Sequence, residues 1–275
     1  MNLHKLILEK NACYTKGEKI TVKGIMVHST GANNCTLKRY VGPDDGLLGK
    51  NQYNNHWNQP YPDGRSVCVH AFIGKLQDGT VATYQTLPWN HRGWHAGSGS
   101  KGSANNTHIS FEICEDNLKD ATYFNKVYQE AAELCAYLCK EYNLDPMEDG
   151  VLIDHREGHK RGLASNHGDV KHWFDKYGKT MDTFRKDVNA LINAEQPEEE
   201  TTDARFNVSK WGVYTVTPEV GLWLRNGAST DNHKVELMKY GAKVICYGFY
   251  NGKWYMVASE SGKVGFCHSD YLKKV

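Results

Sequence analysis

The sequence predicts an α/β domain, a mixed central sheet flanked by helices, followed by a small all-β barrel. Three observations predict it. Segments with strand alternation and segments with helical periodicity are interleaved up to residue 194. The pattern then breaks into EQPEEETTDA, an acidic and small-polar run with one proline that cannot bury enough apolar surface to fold. Beyond it, short strands alternate with glycine turns and no helical stretch is visible. Residues 1–194 are therefore assigned to the first domain, 195–210 to an acidic linker and 211–275 to the second.

In the first domain, Val22 to His28, Val67 to Ile73, Val81 to Thr86 and His108 to Cys114 are rich in β-branched and aromatic residues and bounded by Gly, Asn or Asp, which predicts strands. From Ala121 to Tyr142, the residues Phe124, Val127, Tyr128, Ala131, Leu134, Cys135 and Leu138 recur on one stripe, which predicts an amphipathic helix ending before Asn143 and Pro146. A second helix over Met181 to Asn193 turns Phe184, Val188, Leu191 and Ile192 to one side. In the last domain, Leu222 to Gly227, Leu237 to Gly241, Val244 to Tyr250, Trp254 to Val257, Gly265-Phe266 and Tyr271-Leu272 read as short strands. Asn226-Gly227 and Asn251-Gly252 suit turns that need positive φ.

Bulk properties exclude more than they assign. A formal net charge of +1 gives no global reason to expect nucleic acid as the partner. Leu6-Ile7-Leu8 is too short for the apolar core of a secretory signal, and no stretch approaches a membrane span, so membrane insertion is not expected. Synthesis in the cytoplasm follows as the expectation. The eight cysteines (13, 35, 68, 114, 135, 139, 246, 267) include no C-x-x-C pair and are expected to be buried free thiols, with Cys135 and Cys139 packing one turn apart on the long helix.

The chemistry is concentrated in three histidine-bearing segments: Ile25-Met26-Val27-His28-Ser29-Thr30, Gly93-Trp94-His95-Ala96-Gly97, and Ile153-Asp154-His155 through Asn166-His167-Gly168-Asp169. His155 and His159 have the spacing of one helical turn, but a zincin motif needs glutamate directly after the first histidine and Arg156 stands there. The polar run from Gly158 to Gly162 argues for a loop at that point. Ser29 is not a convincing nucleophile, because VHSTG lacks the first glycine of a G-x-S-x-G elbow.

Taken together, the strand ending in VHST, the VHAFI strand with its Asp78-Gly79 turn, the WHAG loop, the strand ISFEI and the late histidine followed by aspartate resemble a known family over roughly Val22 to Asp187. It is the zinc amidase family that includes bacteriophage T7-type lysozymes, bacterial wall amidases and animal peptidoglycan recognition proteins. The resemblance implies that fold and an N-acetylmuramoyl-L-alanine amidase activity on peptidoglycan. It also implies a Zn2+ ion held by His28, His155 and Asp169, with water at the fourth position. Three protein ligands and one open site are what catalytic zinc requires. The resemblance further makes Glu112 the general base, with Glu115 as its substitute, and puts His167 where many relatives carry an oxyanion-stabilising lysine. His70, Trp94 and His95 correspond to positions lining the substrate cleft.

Thr215 to Val275 resembles a bacterial SH3 domain, with Gly221 to Gly227 matching its variable stretch and Lys263 to His268 its closing strand. From Ala204 onward ten basic residues face five acidic ones, an excess that would draw the module to an anionic cell-wall polymer. Trp211, Trp223, Tyr250, Trp254 and Tyr255 are the candidate stacking surfaces. This architecture suggests a phage-type endolysin or autolysin acting on bacterial peptidoglycan, released through a membrane-perforating partner. The alternatives are a recognition protein that holds peptidoglycan without cutting it and an intracellular amidase that recycles muropeptides.

Overall fold

The computed structural model describes residues 1–193 and 205–275. It falls into two compact units, Met1–Ala194 and Glu195–Val275. The expected acidic linker lies outside the described residues as far as 204.

The first unit is built on six strands, β1 (Leu3–Lys5), β2 (Gly24–Ser29), β3 (Ala71–Lys75), β4 (Val81–Gln85), β5 (His108–Ile113) and β6 (Leu152–Asp154), in the order β1-β4-β3-β5-β2-β6. Only β3 and β4 pair antiparallel; the other neighbours run parallel, so the sheet is mixed. The helices are α1 (Ala12–Lys16), α2 (Ala121–Tyr142), α3 (His155–Lys160), α4 (Lys171–Lys176) and α5 (Met181–Asn193). Helix α2 starts where the Asp120 carboxylate accepts the Thr122 and Tyr123 N–H groups, and it stops at Asn143, which takes the left-handed conformation. Its predicted apolar stripe is buried. Together with Trp173 and Phe174 of α4 and Phe184 and Val188 of α5, it covers one face of the sheet.

One strand boundary moves for a reason visible in the hydrogen bonds. Val67 to His70 precede β3, because Cys68 exchanges both backbone hydrogen bonds with Trp94 instead of joining the sheet. Strands β1 and β6 are three residues long, too short to show alternation in a sequence. Among the described residues no disulfide forms and all cysteines but Cys35 are buried. No described helix is long and apolar enough to cross a membrane.

The second unit is a seven-stranded antiparallel sheet: β7 (Arg205–Val216), β8 (Leu222–Arg225), β9 (Lys234–Met238), β10 (Lys243–Asn251), β11 (Trp254–Ala258), β12 (Val264–His268) and β13 (Leu272–Lys274). Tyr214, Val216, Leu224, Met238, Val244, Cys246, Val257 and Cys267 form its core. Strand β7 begins at Arg205, inside the stretch assigned to the linker, because Arg205 and Phe206 pair with Tyr250 and Phe249 of β10. Of the two Asn-Gly pairs, only Gly252 has positive φ, in the tight β10–β11 hairpin; Asn226-Gly227 opens a longer connection to β9 and needs none. Trp211 is 51% exposed, beside Tyr247, whereas Tyr250 and Tyr255 both face the Lys210 ammonium at 4.7 and 4.6 Å.

Candidate active site

Strand alternation places the site. Ile25 and Val27 of β2 and Ile109, Phe111 and Ile113 of β5 point into the core beneath α2, so His28 and Glu112 point to the opposite face. The parallel register then sets His28 against Glu112.

His155 enters from the next strand over. Strand β6 pairs with β2, and the chain turns at once into α3, with His155 as its first residue. A capping box makes the turn: Asp154 Oδ1 accepts the Glu157 N–H at 2.6 Å while Glu157 Oε2 accepts the Asp154 N–H at 3.3 Å. Gly158 lets the helix lie on β2, since a Cβ there would come within 2.5 Å of the Met26 methyl. The segment from Gly158, expected as a loop, is thus helical as far as Lys160, and its glycine serves close packing. His159 leaves the site, its Nδ1 bonded to the Ala164 carbonyl at 3.1 Å.

Asp169 closes the group from the loop before α4. Its Oδ2 is 3.0 Å from His28 Nδ1 and its Oδ1 3.8 Å from His155 Nδ1, and the two Nδ1 atoms are 3.2 Å apart. One ligand atom from each of the three residues lies within 4.8 Å of the others. Both imidazoles turn their Nδ1 toward the carboxylate and their Nε2 toward other partners, His95 for His28 and Ser165 for His155. Two imidazole nitrogens and a carboxylate oxygen converging in this way form a donor set that fits a metal ion.

The electrostatics follow from burial and crowding. Burial opposes a charge on His28, but the hydrogen bond and charge of Asp169 outweigh it and raise its pKa. Burial, reinforced by the charge of His28, lowers His155 to about 4. Burial also works against the Asp169 carboxylate, yet its bond to His28 holds the pKa below the ordinary value. Glu112 is pushed up to about 8 by burial, and its Oε2 has no hydrogen-bond partner among the described residues.

The three converging residues line one cleft together with Glu112, His167, His95 and Trp94. His167 Nδ1 lies 3.2 Å from His155 Nε2 and 3.1 Å from Ser165 Oγ. Trp94 is 42% exposed at the cleft wall, with the Arg92 guanidinium 5.2 Å from its ring centre. His95 reaches the cleft, but its Nδ1 is turned to His28 Nε2 at 3.0 Å.

His70, expected to line the cleft, does not. It is fully buried, with Nδ1 accepting the Ser110 N–H at 3.0 Å and Nε2 donating to the His91 carbonyl at 2.8 Å. With both nitrogens satisfied by backbone, it is a core histidine. Glu115 is held elsewhere too, accepting from His172 at 2.9 Å and from the Gly31 N–H at 3.2 Å. The sequence did not point to Ser165, Arg39 or His172, which also line the cleft, or to Asn105, which holds the His95 and Ala96 N–H groups.

The family model described as N-acetylmuramoyl-L-alanine amidase matches residues 18–171, and the one described as bacterial SH3 domain matches residues 220–273. The chain is 32% identical over 127 residues to N-acetylmuramoyl-L-alanine amidase CwlH of Bacillus subtilis (strain 168), covering 39% of this chain and 49% of that protein. It is 44% identical over 90 residues to N-acetylmuramoyl-L-alanine amidase XlyA of the same organism, covering 30% of this chain and 29% of that protein. The chain thus spans half or less of the length of these relatives. The crystal structure of the Staphylococcus aureus hydrolase AmiA superposes with a TM-score of 0.51 at 18% identity, covering 70% of this chain and 83% of that one, which establishes a shared fold. With a family model matching more than half of its length, the chain belongs to the N-acetylmuramoyl-L-alanine amidase family and carries a bacterial SH3 domain after the amidase region.

Proposed function

We propose that the first unit is a zinc-dependent hydrolase that cuts the amide bond between the lactyl group of N-acetylmuramic acid and the L-alanine of the stem peptide. The second unit, in this reading, holds the chain on a polymer of the bacterial cell wall. The observation that carries the proposal is the convergence of His28, His155 and Asp169 on the floor of a cleft that also holds Glu112 and His167.

His28, His155 and Asp169 would hold the zinc, which when bound would supply a nucleophilic water at neutral pH and a Lewis acid for the scissile carbonyl. Glu112 is the proton carrier. Its carboxylate sits beside His28 in the register; a base must start ionised, and a cation held by His28 would favour that form against the burial that opposes it. It takes the proton of the attacking water and delivers it to the departing alanine nitrogen, which leaves only as the amine. His167 donates an N–H from the ring nitrogen not engaged by Ser165 to the oxygen that becomes negative, the role for which relatives use lysine. Trp94 offers a flat apolar wall to the sugar or stem peptide.

The test is digestion of purified cell wall followed by mass analysis of the fragments. Free lactyl carboxylates and new amino-terminal alanines are the expected products. New reducing sugar ends would show a glycosidase instead, and intact wall with bound protein would show a recognition protein.

A further inference from the structure

We infer that the loop Trp94 to Gly97 orients both imidazole ligands at once, His28 directly through His95 and His155 indirectly through Ser165. The inference rests on reading His28, His155 and Asp169 as the metal ligands.

An imidazole that binds a metal through Nδ1 must carry its proton on Nε2. A fixed acceptor for that proton selects the tautomer and locks the ring. His28 Nε2 meets His95 Nδ1 at 3.0 Å. In this geometry His95 accepts through Nδ1. Its own proton then resides on Nε2, an atom that is buried and has no partner among the described residues.

The loop itself is rigidly held. Asn105, fully buried, accepts the backbone N–H groups of both His95 and Ala96 at 2.9 Å through Oδ1, and its Nδ2 donates to the Gly97 carbonyl at 3.3 Å. One residue further along the same loop, the Ala96 carbonyl accepts the Ser165 N–H at 2.8 Å and the Ser165 hydroxyl at 3.2 Å. With its proton directed to Ala96, the Ser165 oxygen presents a lone pair to His155 Nε2 at 3.3 Å, beside His167 Nδ1, a second acceptor at 3.2 Å. Gly97, at φ +64, lets the loop press against Ser165, since a Cβ would come within 2.9 Å of its Oγ. The two proton chains, His28 to His95 and His155 to Ser165 to Ala96, therefore end on one segment pinned by one asparagine. His95 and Ser165 are positioning residues, acting on the metal through the ligands.

The test measures zinc affinity by chelator competition on the full chain, and the absorption spectrum after cobalt substitution. His95→Leu removes the acceptor and weakens zinc binding about 10- to 100-fold. His95→Asn, whose Oδ1 can stand in for the ring Nδ1, restores most of the affinity and the wild-type cobalt bands. Ser165→Ala weakens binding from the other imidazole. Circular dichroism of the metal-free proteins checks folding, and if His95→Leu does not fold, Ser165→Ala carries the test. Wild-type affinity and an unchanged cobalt spectrum in both loss variants would overturn the inference, as would His95→Asn being as weak as His95→Leu. A wild-type chain that binds no zinc would instead overturn the metal reading itself.

Discussion

His28 and Glu112 face each other across neighbouring parallel strands, one residue per strand in direct register, and both point away from the core beneath α2. The sheet thus fixes the spacing between the proposed first ligand and the proposed proton carrier, without help from any loop.

Glu112→Gln keeps the shape of the side chain and removes the proton transfer. We expect kcat on solubilised wall fragments to fall about 10²- to 10⁴-fold, with zinc content unchanged. Turnover and metal analysis on the same preparation check this; a variant with near wild-type turnover would return the base role to another group.

His167→Ala removes the proposed oxyanion donor. The expected loss is about 10²- to 10³-fold in kcat with little change in KM. His167→Lys restores part of it, because lysine supplies the same kind of donor. Steady-state kinetics separate this from a substrate-binding role, which would appear in KM.

His70 makes a prediction about stability and pH. Its pKa is lowered by burial from the ordinary 6.5 to about 4 in the folded chain. Between those values the unfolded chain binds a proton that the native chain does not. The contribution of this residue is therefore complete above pH 6.5 and is lost as pH falls through that window toward 4. Relative to wild type, His70→Gln should show a shallower loss of stability there, by up to about 1.4 kcal/mol per pH unit. Denaturant unfolding at several pH values reads it; parallel curves would contradict it.

Trp211→Ala tests the second unit. The ring is half exposed on β7, and its removal should weaken binding to intact wall while leaving turnover on small soluble fragments unchanged. Sedimentation with purified wall, alongside that turnover, distinguishes a binding surface from a damaged fold.

The sequence made some of this legible because the relevant forces are local. The stripe from Phe124 to Leu138 encodes α2 at a period that nothing overrides, and alternation around Ile109 and Phe111 encodes β5 and so the side to which Glu112 points. What the sequence could not give was long-range pairing. Cys68 reads as strand by composition, yet its hydrogen bonds go to Trp94. His70 and His95 look alike as single histidines. Only the fold shows that one is satisfied by backbone and the other bonded to His28. Gly158 reads as a break until Met26 is seen beneath it.

The most direct test of the metal reading is zinc per chain, measured by elemental analysis in purified wild-type protein and in Asp169→Ala. One zinc per wild-type chain, with most of it lost in the variant, is the expected result. A wild-type chain without zinc, or a variant that keeps a full complement, would contradict the assignment of His28, His155 and Asp169 as the ligands.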